Sequence, residues 1–163
     1  MAGSIRAVAC ARAGGVAAVV IALDQLTKHT VAAGISAGET RKLLPGLQLV
    51  HVRNTGVAFS LFADGGALVL VLTLAAVALL GSYLAVRPDR ALLWLPTGML
   101  LGGAIGNLID RIANGAVTDF IKLPHWPAFN VADMSITFGI LILVWVLEGR
   151  RGERAGASAT APR

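Results

Sequence analysis

Apolar positions along this chain gather into four long runs, at about 13–33, 65–86, 91–109 and 131–147. Each is close to the roughly 20 residues that a helix needs to cross a bilayer. The pattern therefore predicts four membrane-spanning helices packed on one another. The last run lies in FNVADMSITFGILILVWVLEG (129–149), which has no charge between Met134 and Leu147 yet carries Asp133 near its start. An ionised side chain there is costly, and an acid in such a place is a functional candidate by default.

Between the first two runs, residues 34–64 are too many for a mere connector. Within them LQLVHVRN (47–54) alternates apolar and polar positions with one slip, which reads as a short strand, and NTG then supplies a turn. Long ordered loops in a compact chain tend to bind something, although a hairpin that merely caps the helices fits the same pattern. The segment 150–163, ending in GERAGASATAPR, is small and polar and is expected to be a disordered tail. One domain, 1–149, is expected to hold everything else.

Composition agrees with a membrane setting. Of 163 residues, 56% are hydrophobic and only 14% charged, and the mean hydropathy is +0.74. The fold class expected is an all-α integral membrane protein with four transmembrane helices and a small β-containing element in the first loop. The net charge of +5 does not point to nucleic acid, because the basic residues flank apolar runs instead of forming a stripe with interleaved aromatics. Arg6, Arg12, Arg87, Arg90, Arg150, Arg151, Arg154 and Arg163 fall in segments on one side, against Arg41, Lys42, Arg53 and Lys122 on the other. That bias of eight to four places both termini in the cytoplasm and the two longer loops outside it. The first run is not expected to be a cleaved signal peptide, because DQLTK (24–28) interrupts its apolar stretch. Cys10, the single cysteine, excludes an internal disulfide.

The third run carries Gly98, Gly102 and Gly106 at four-residue spacing, a stripe that lets another helix approach closely. The same register continues to Asp110, and the neighbouring one runs Gly103, Asn107, Arg111. The stripe can pack this helix against its neighbours or leave room for a substrate helix, and spacing does not choose between them. Asp110 and Arg111 suit an ion pair anchored at the membrane surface.

Two further acids follow. Asp119 in VTDF and Asp133 in FNVAD lie near the same membrane surface, fourteen residues apart, and Pro124 and Pro127 impose turns on the segment between them. Asn130 makes a good N-cap, and an acid at the third helical position favours the helix dipole, so Asp133 also has a purely structural explanation. Chemistry favours the other. Two carboxylates that share a site do not both ionise comfortably, so one keeps a proton while the other can take one from water, as in an aspartic protease. Rival chemistries are poorly supplied: His29, His51 and His125 stand in no zinc spacing, and a serine and lysine dyad would need Ser60 or Ser135 with Lys122.

The ordered set DQLTK, NTGVAF, GGAIGNLIDR (102–111), VTDF and FNVAD resembles the lipoprotein signal peptidase family, also called signal peptidase II. The resemblance spans Asp24 to Asp133 and the fourth run, and five short motifs in order are far more specific than any one of them. It implies a bacterial inner-membrane aspartic endopeptidase, without metal or other cofactor. Such enzymes cleave prolipoproteins just before the cysteine that carries a diacylglyceryl group, and they are the target of globomycin-type cyclic peptides. Asp119 and Asp133 would be the catalytic pair. Asp24, Lys28, Asn54, Gly56, Asn107, Asp110, Arg111 and Asn130 would bind substrate or support the site. The loop strand would belong to an extracytoplasmic cradle over the substrate, while the short connection between VTDF and FNVAD limits any flap.

A non-catalytic transporter or channel subunit could instead use Asp24, Lys28, Asp110 and Arg111 as an ion path. Such a path needs polar groups through the full depth, whereas the second run offers only Thr73, Ser82 and Tyr83.

Overall fold

The computed structural model describes the backbone of residues 2–55, 75, 78–83, 85–86 and 92–159, and the side chains among these from 3 to 148. Most of the second apolar run lies outside the described residues, as do Gly56, Ser60, Arg87 and Arg90.

Helix α1 (Ala2–Gly34) contains the first apolar run but starts well before it. The added turns are rich in alanine, the best helix former, and extending an existing helix avoids the cost of a new nucleus. Ala9 and Ala13 are buried against Leu93, which ties this extension to the bundle. Helix α2 (Trp94–Asn114) holds the third run from Trp94 onward. It stops at Gly115, whose φ of 69° suits glycine and whose N–H donates to the Arg111 carbonyl. Helix α3 (Val131–Ala159) contains the fourth run. Within α1 and α3, Gly3–Gly34 and Val131–Glu148 are long and apolar enough to cross a membrane.

Helix α3 runs on to Ala159, into the segment 150–163. Arginine and alanine, three each among residues 150–159, have favourable helix propensities, and elongation carries the helix past Gly152 and Gly156.

Helix α2 packs along both α1 and α3. Its glycines explain how. A Cβ at Gly102 would sit 2.7 Å from the Val20 Cβ of α1, and one at Gly103 would sit 2.5 Å from the Ala132 carbonyl oxygen of α3. The stripe is thus filled by α1 on one side and α3 on the other, and it is helix packing that these glycines serve. Gly103→Ala should lower stability by about 1–3 kcal/mol, because backbone must move to admit the methyl group. Gly14→Ala, where nothing lies within 4 Å, is the control and should not lower the melting temperature in detergent.

Three strands form an antiparallel sheet in the order β1 (Thr40–Leu44), β2 (Leu47–Asn54), β3 (Val117–Lys122). Pro45 and Gly46 turn β1 into β2, with Gly46 at φ 82°. The slip in the alternation of LQLVHVRN has a structural counterpart, since the β2 to β3 register shifts between Leu49 and Val52. Phe120 of β3 is buried with Val31 and Ile35, and Leu49, Ile121 and Val131 pack against them. The sheet therefore sits on the end of α1 and beside the start of α3.

Candidate active site

Asp119 lies in β3 opposite Val52 and is 2% exposed. After β3 the chain turns back and forms a bridge in which Ile121 and Phe129 exchange both backbone hydrogen bonds, at 2.8 and 3.0 Å. This return sets Asn130, at the mouth of α3, beside Asp119. The Asn130 amide nitrogen Nδ2 donates to Asp119 Oδ1 at 2.7 Å, and Asn54 Nδ2 donates to Asp119 Oδ2 at 2.9 Å.

Asn130 also caps α3. Its Oδ1 accepts the Asp133 N–H at 2.9 Å while Asp133 Oδ2 accepts the Asn130 N–H at 3.2 Å, a reciprocal capping box. The capping explanation for Asp133 is thus real, but it occupies one carboxylate oxygen only. The other, Oδ1, accepts from Asn107 Nδ2 at 2.8 Å. One side chain, Asn130, therefore touches both aspartates.

Behind them stands a buried polar network. Lys28 Nζ donates its three protons to Asp24 Oδ2 at 2.8 Å, Asn107 Oδ1 at 2.9 Å and Asp110 Oδ2 at 3.1 Å. Because the ammonium engages Asn107 Oδ1, the amide of Asn107 has a fixed direction and its NH2 group faces Asp133. Asp24 Oδ1 accepts the Ala132 N–H at 2.9 Å, and Asp110 Oδ2 accepts the Thr118 N–H at 2.9 Å. Asp24, Lys28, Asn107, Asp110, Asp119 and Asn130 are all buried. No buried side-chain nitrogen or oxygen among the described residues lacks a partner.

Burial pushes the Asp119 carboxyl up from an ordinary value near 4 to about 6. The Asn54 hydrogen bond opposes this, the Asp133 charge adds to it, and the Asn130 bond opposes it again. The two carboxylates thus share one polar pocket, with Asp119 buried and Asp133 half-buried.

A groove of about 300 Å3 opens beside Asp133, walled by Leu123, Trp126, Phe129, Met134, Thr137 and Phe138. Apart from the carboxylate and a hydroxyl it is apolar, and Trp126 and Phe138 stand exposed on its rim.

Other sequence expectations change. Asp110 does not pair with Arg111; it pairs with Lys28, and Arg111 donates to the Asn107 carbonyl at 3.3 Å. Successive residues of a helix do not face each other, so Asp110 turns to α1 while Arg111 follows the next register. Ser135 and Lys122 do not meet. Ser135 donates to the Met99 carbonyl across the α2 and α3 contact, and Lys122 donates to the Trp126 carbonyl. Gln25 was not anticipated: its amide reaches Asp24, Asp110 and the Gly106 carbonyl.

The sequence model described as Signal peptidase (SPase) II matches residues 16–148. The chain belongs to the signal peptidase II family. It is 41% identical to a lipoprotein signal peptidase of Moorella thermoacetica over 140 residues, which cover 85% of this chain and 93% of the relative. A lipoprotein signal peptidase of Enterococcus faecalis is 33% identical over 151 residues, with 89% and 93% covered. A bacterial membrane enzyme solved by the in meso method at 1.9 Å has the same fold, with a TM-score of 0.74 and 29% identity over 81% of this chain and 89% of that one. Family membership makes the chain a peptidase whose solved relatives are membrane enzymes. Asp119, Asp133 and the asparagines around them all lie inside the matched region.

Proposed function

We propose that the protein is a membrane aspartic endopeptidase that removes the signal peptide from diacylglyceryl-modified prolipoproteins, cutting on the N-terminal side of the lipidated cysteine. The observation that carries this reading is the convergence of Asp119 and Asp133 on Asn130, inside a family of signal peptidases. Burial favours the proton on Asp119. Asp133, which lines the groove where substrate is expected to arrive, takes the role of base. In the reaction Asp133 takes a proton from water as its oxygen adds to the scissile carbonyl, and Asp119 gives its proton to the departing amine. The water oxygen ends on the new carboxyl, the peptide C–N bond breaks, and the two carboxyl groups exchange protonation states.

On this reading the chain spans the bacterial inner membrane four times with both termini in the cytoplasm. The sheet then forms part of an extracytoplasmic cradle, and the membrane presents the lipid of the substrate to the apolar groove beside Asp133. Lipid anchoring confines the scissile bond near the dyad and contributes to orientation. Globomycin-type cyclic peptides are expected to inhibit it. The test is to incubate the purified protein with a diacylglyceryl-modified prolipoprotein and with its unmodified precursor. Shortening of the modified form alone supports the proposal; no cleavage of either overturns it.

The pH dependence follows from Asp119. With its pKa near 6, the pair keeps its shared proton below that pH and loses it above, so kcat/KM should fall as pH rises through about 6. Stability follows the same sign. The folded state holds this proton more tightly than the unfolded chain, so the contribution is complete below pH 4 or so and is lost as pH passes about 6. Asp119→Asn should remove this loss, which melting curves at pH 5 and 7.5 would show.

A further inference from the structure

Asp24 and Asp110 stand in matching positions relative to the dyad. Asp24 accepts the N–H of Ala132, the residue before Asp133, and Asp110 accepts the N–H of Thr118, the residue before Asp119. Whatever fixes the distance between these two carboxylates also fixes the distance between β3 and the start of α3. Lys28 bridges them from one side. From the other side Gln25 Nε2 shares its two protons among Asp110 Oδ1 at 3.0 Å, the Gly106 carbonyl at 3.1 Å and Asp24 Oδ2 at 3.2 Å. All three neighbours are acceptors, so only the NH2 group can face them, and the amide orientation is determined.

The balance of charge explains why a neutral donor is needed there. Asp24 and Asp110 are buried and share a single cation, Lys28. The excess negative charge must be met by N–H groups, and Asp110 Oδ1 receives its N–H from Gln25. Without it Asp110 would compete for the Lys28 ammonium, which also holds Asn107.

We propose that Gln25 is a positioning residue, whose side-chain amide clamps Asp24 to Asp110 and so sets the separation of Asp119 and Asp133. The inference rests on the dyad reading above. Gln25 touches neither dyad carboxylate and acts through the two amides that precede them.

Gln25→Met keeps the volume and removes the donors. It should lower kcat about tenfold, as expected when reacting groups are misplaced by a fraction of an ångström, with KM within about twofold. Gln25→Glu sets a third carboxylate against Asp24 and Asp110 when ionised but regains one O–H donor when protonated. Its kcat relative to that of Gln25→Met should therefore rise as pH falls from 8 to 6, a change that simple loss of packing would not produce. Should Gln25→Met fail to fold, Gln25→Asn, which keeps the amide but withdraws it from Asp110, carries the same kcat prediction. An unchanged kcat, a loss confined to KM, or a Gln25→Glu variant without acid recovery overturns the inference. Asp119→Asn and Asp133→Asn, assayed alongside, separate the two readings. If they are inert while Gln25→Met matches wild type, only the positioning role falls; if they turn over substrate, the dyad itself falls.

Discussion

Asp119→Asn and Asp133→Asn should each reduce cleavage of a diacylglyceryl-modified prolipoprotein by about a thousandfold or more, with the protein still inserted and folded. Asparagine keeps the shape and polarity of aspartate but can neither take a proton from water nor give one to the departing amine. Each exchange also has a modest structural cost that the hydrogen bonds predict. Asp133 accepts from Asn107 with one oxygen and from the Asn130 backbone with the other. An amide offers a single acceptor oxygen, so one of these bonds must be lost, at about 1 kcal/mol. Asp119 is placed similarly between Asn54 and Asn130. The double variant should be hardly slower than either single one, because groups that act as a unit do not contribute additively. If Asp133 served only in the cap, Asp133→Asn would show the small stability loss and retain most turnover. Substantial turnover by a folded single variant would remove that residue from the proposed chemistry.

Much of this arrangement could be read from the chain. Asp119 and Asp133 stand out because carboxylates are expensive beside apolar runs, and Asn130 because an N-cap must precede α3. The strand at 47–54 is visible, including its slip. What could not be read is what pairs with it. VTDFIK is only six residues long, and its partner β2 lies more than sixty residues earlier in the chain, so no local pattern announces that Asp119 belongs to a sheet. The Ile121 and Phe129 bridge, which brings Asn130 back to Asp119, is hidden for the same reason. Gln25 is invisible in another way. It is uncharged and common on helix surfaces, and its importance appears only once α2 has brought Asp110 and the Gly106 carbonyl to it. The glycine stripe shows the converse: its spacing announces close approach, but only the fold shows α1 against Gly102 and α3 against Gly103.

Lys28→Met should destabilise the protein by about 3–5 kcal/mol, the range for removing one partner from a buried ion pair. The side chain is 4% exposed, and its Nζ meets acceptors from Asp24, Asn107 and Asp110 within 3.1 Å. Methionine fills a similar volume and leaves both carboxylates without their cation, so the effect reads charge and not packing. Adding Asp24→Asn should recover part of the loss, since one buried carboxylate then remains uncompensated in place of two; the coupling between the sites makes the pair less than additive. Lys28→Arg should recover little, because three acceptors converge on one point and a planar fork cannot serve them as an ammonium does. Activity should fall further than stability. Without Lys28, Asn107 Oδ1 keeps only the weaker donor Asn130 Nδ2 at 3.2 Å, so the amide that donates to Asp133 is held less firmly. Melting temperature in detergent and residual cleavage measure the two effects separately. A Lys28→Met variant within about 1 kcal/mol of wild type would show that the buried cation does not hold this site together.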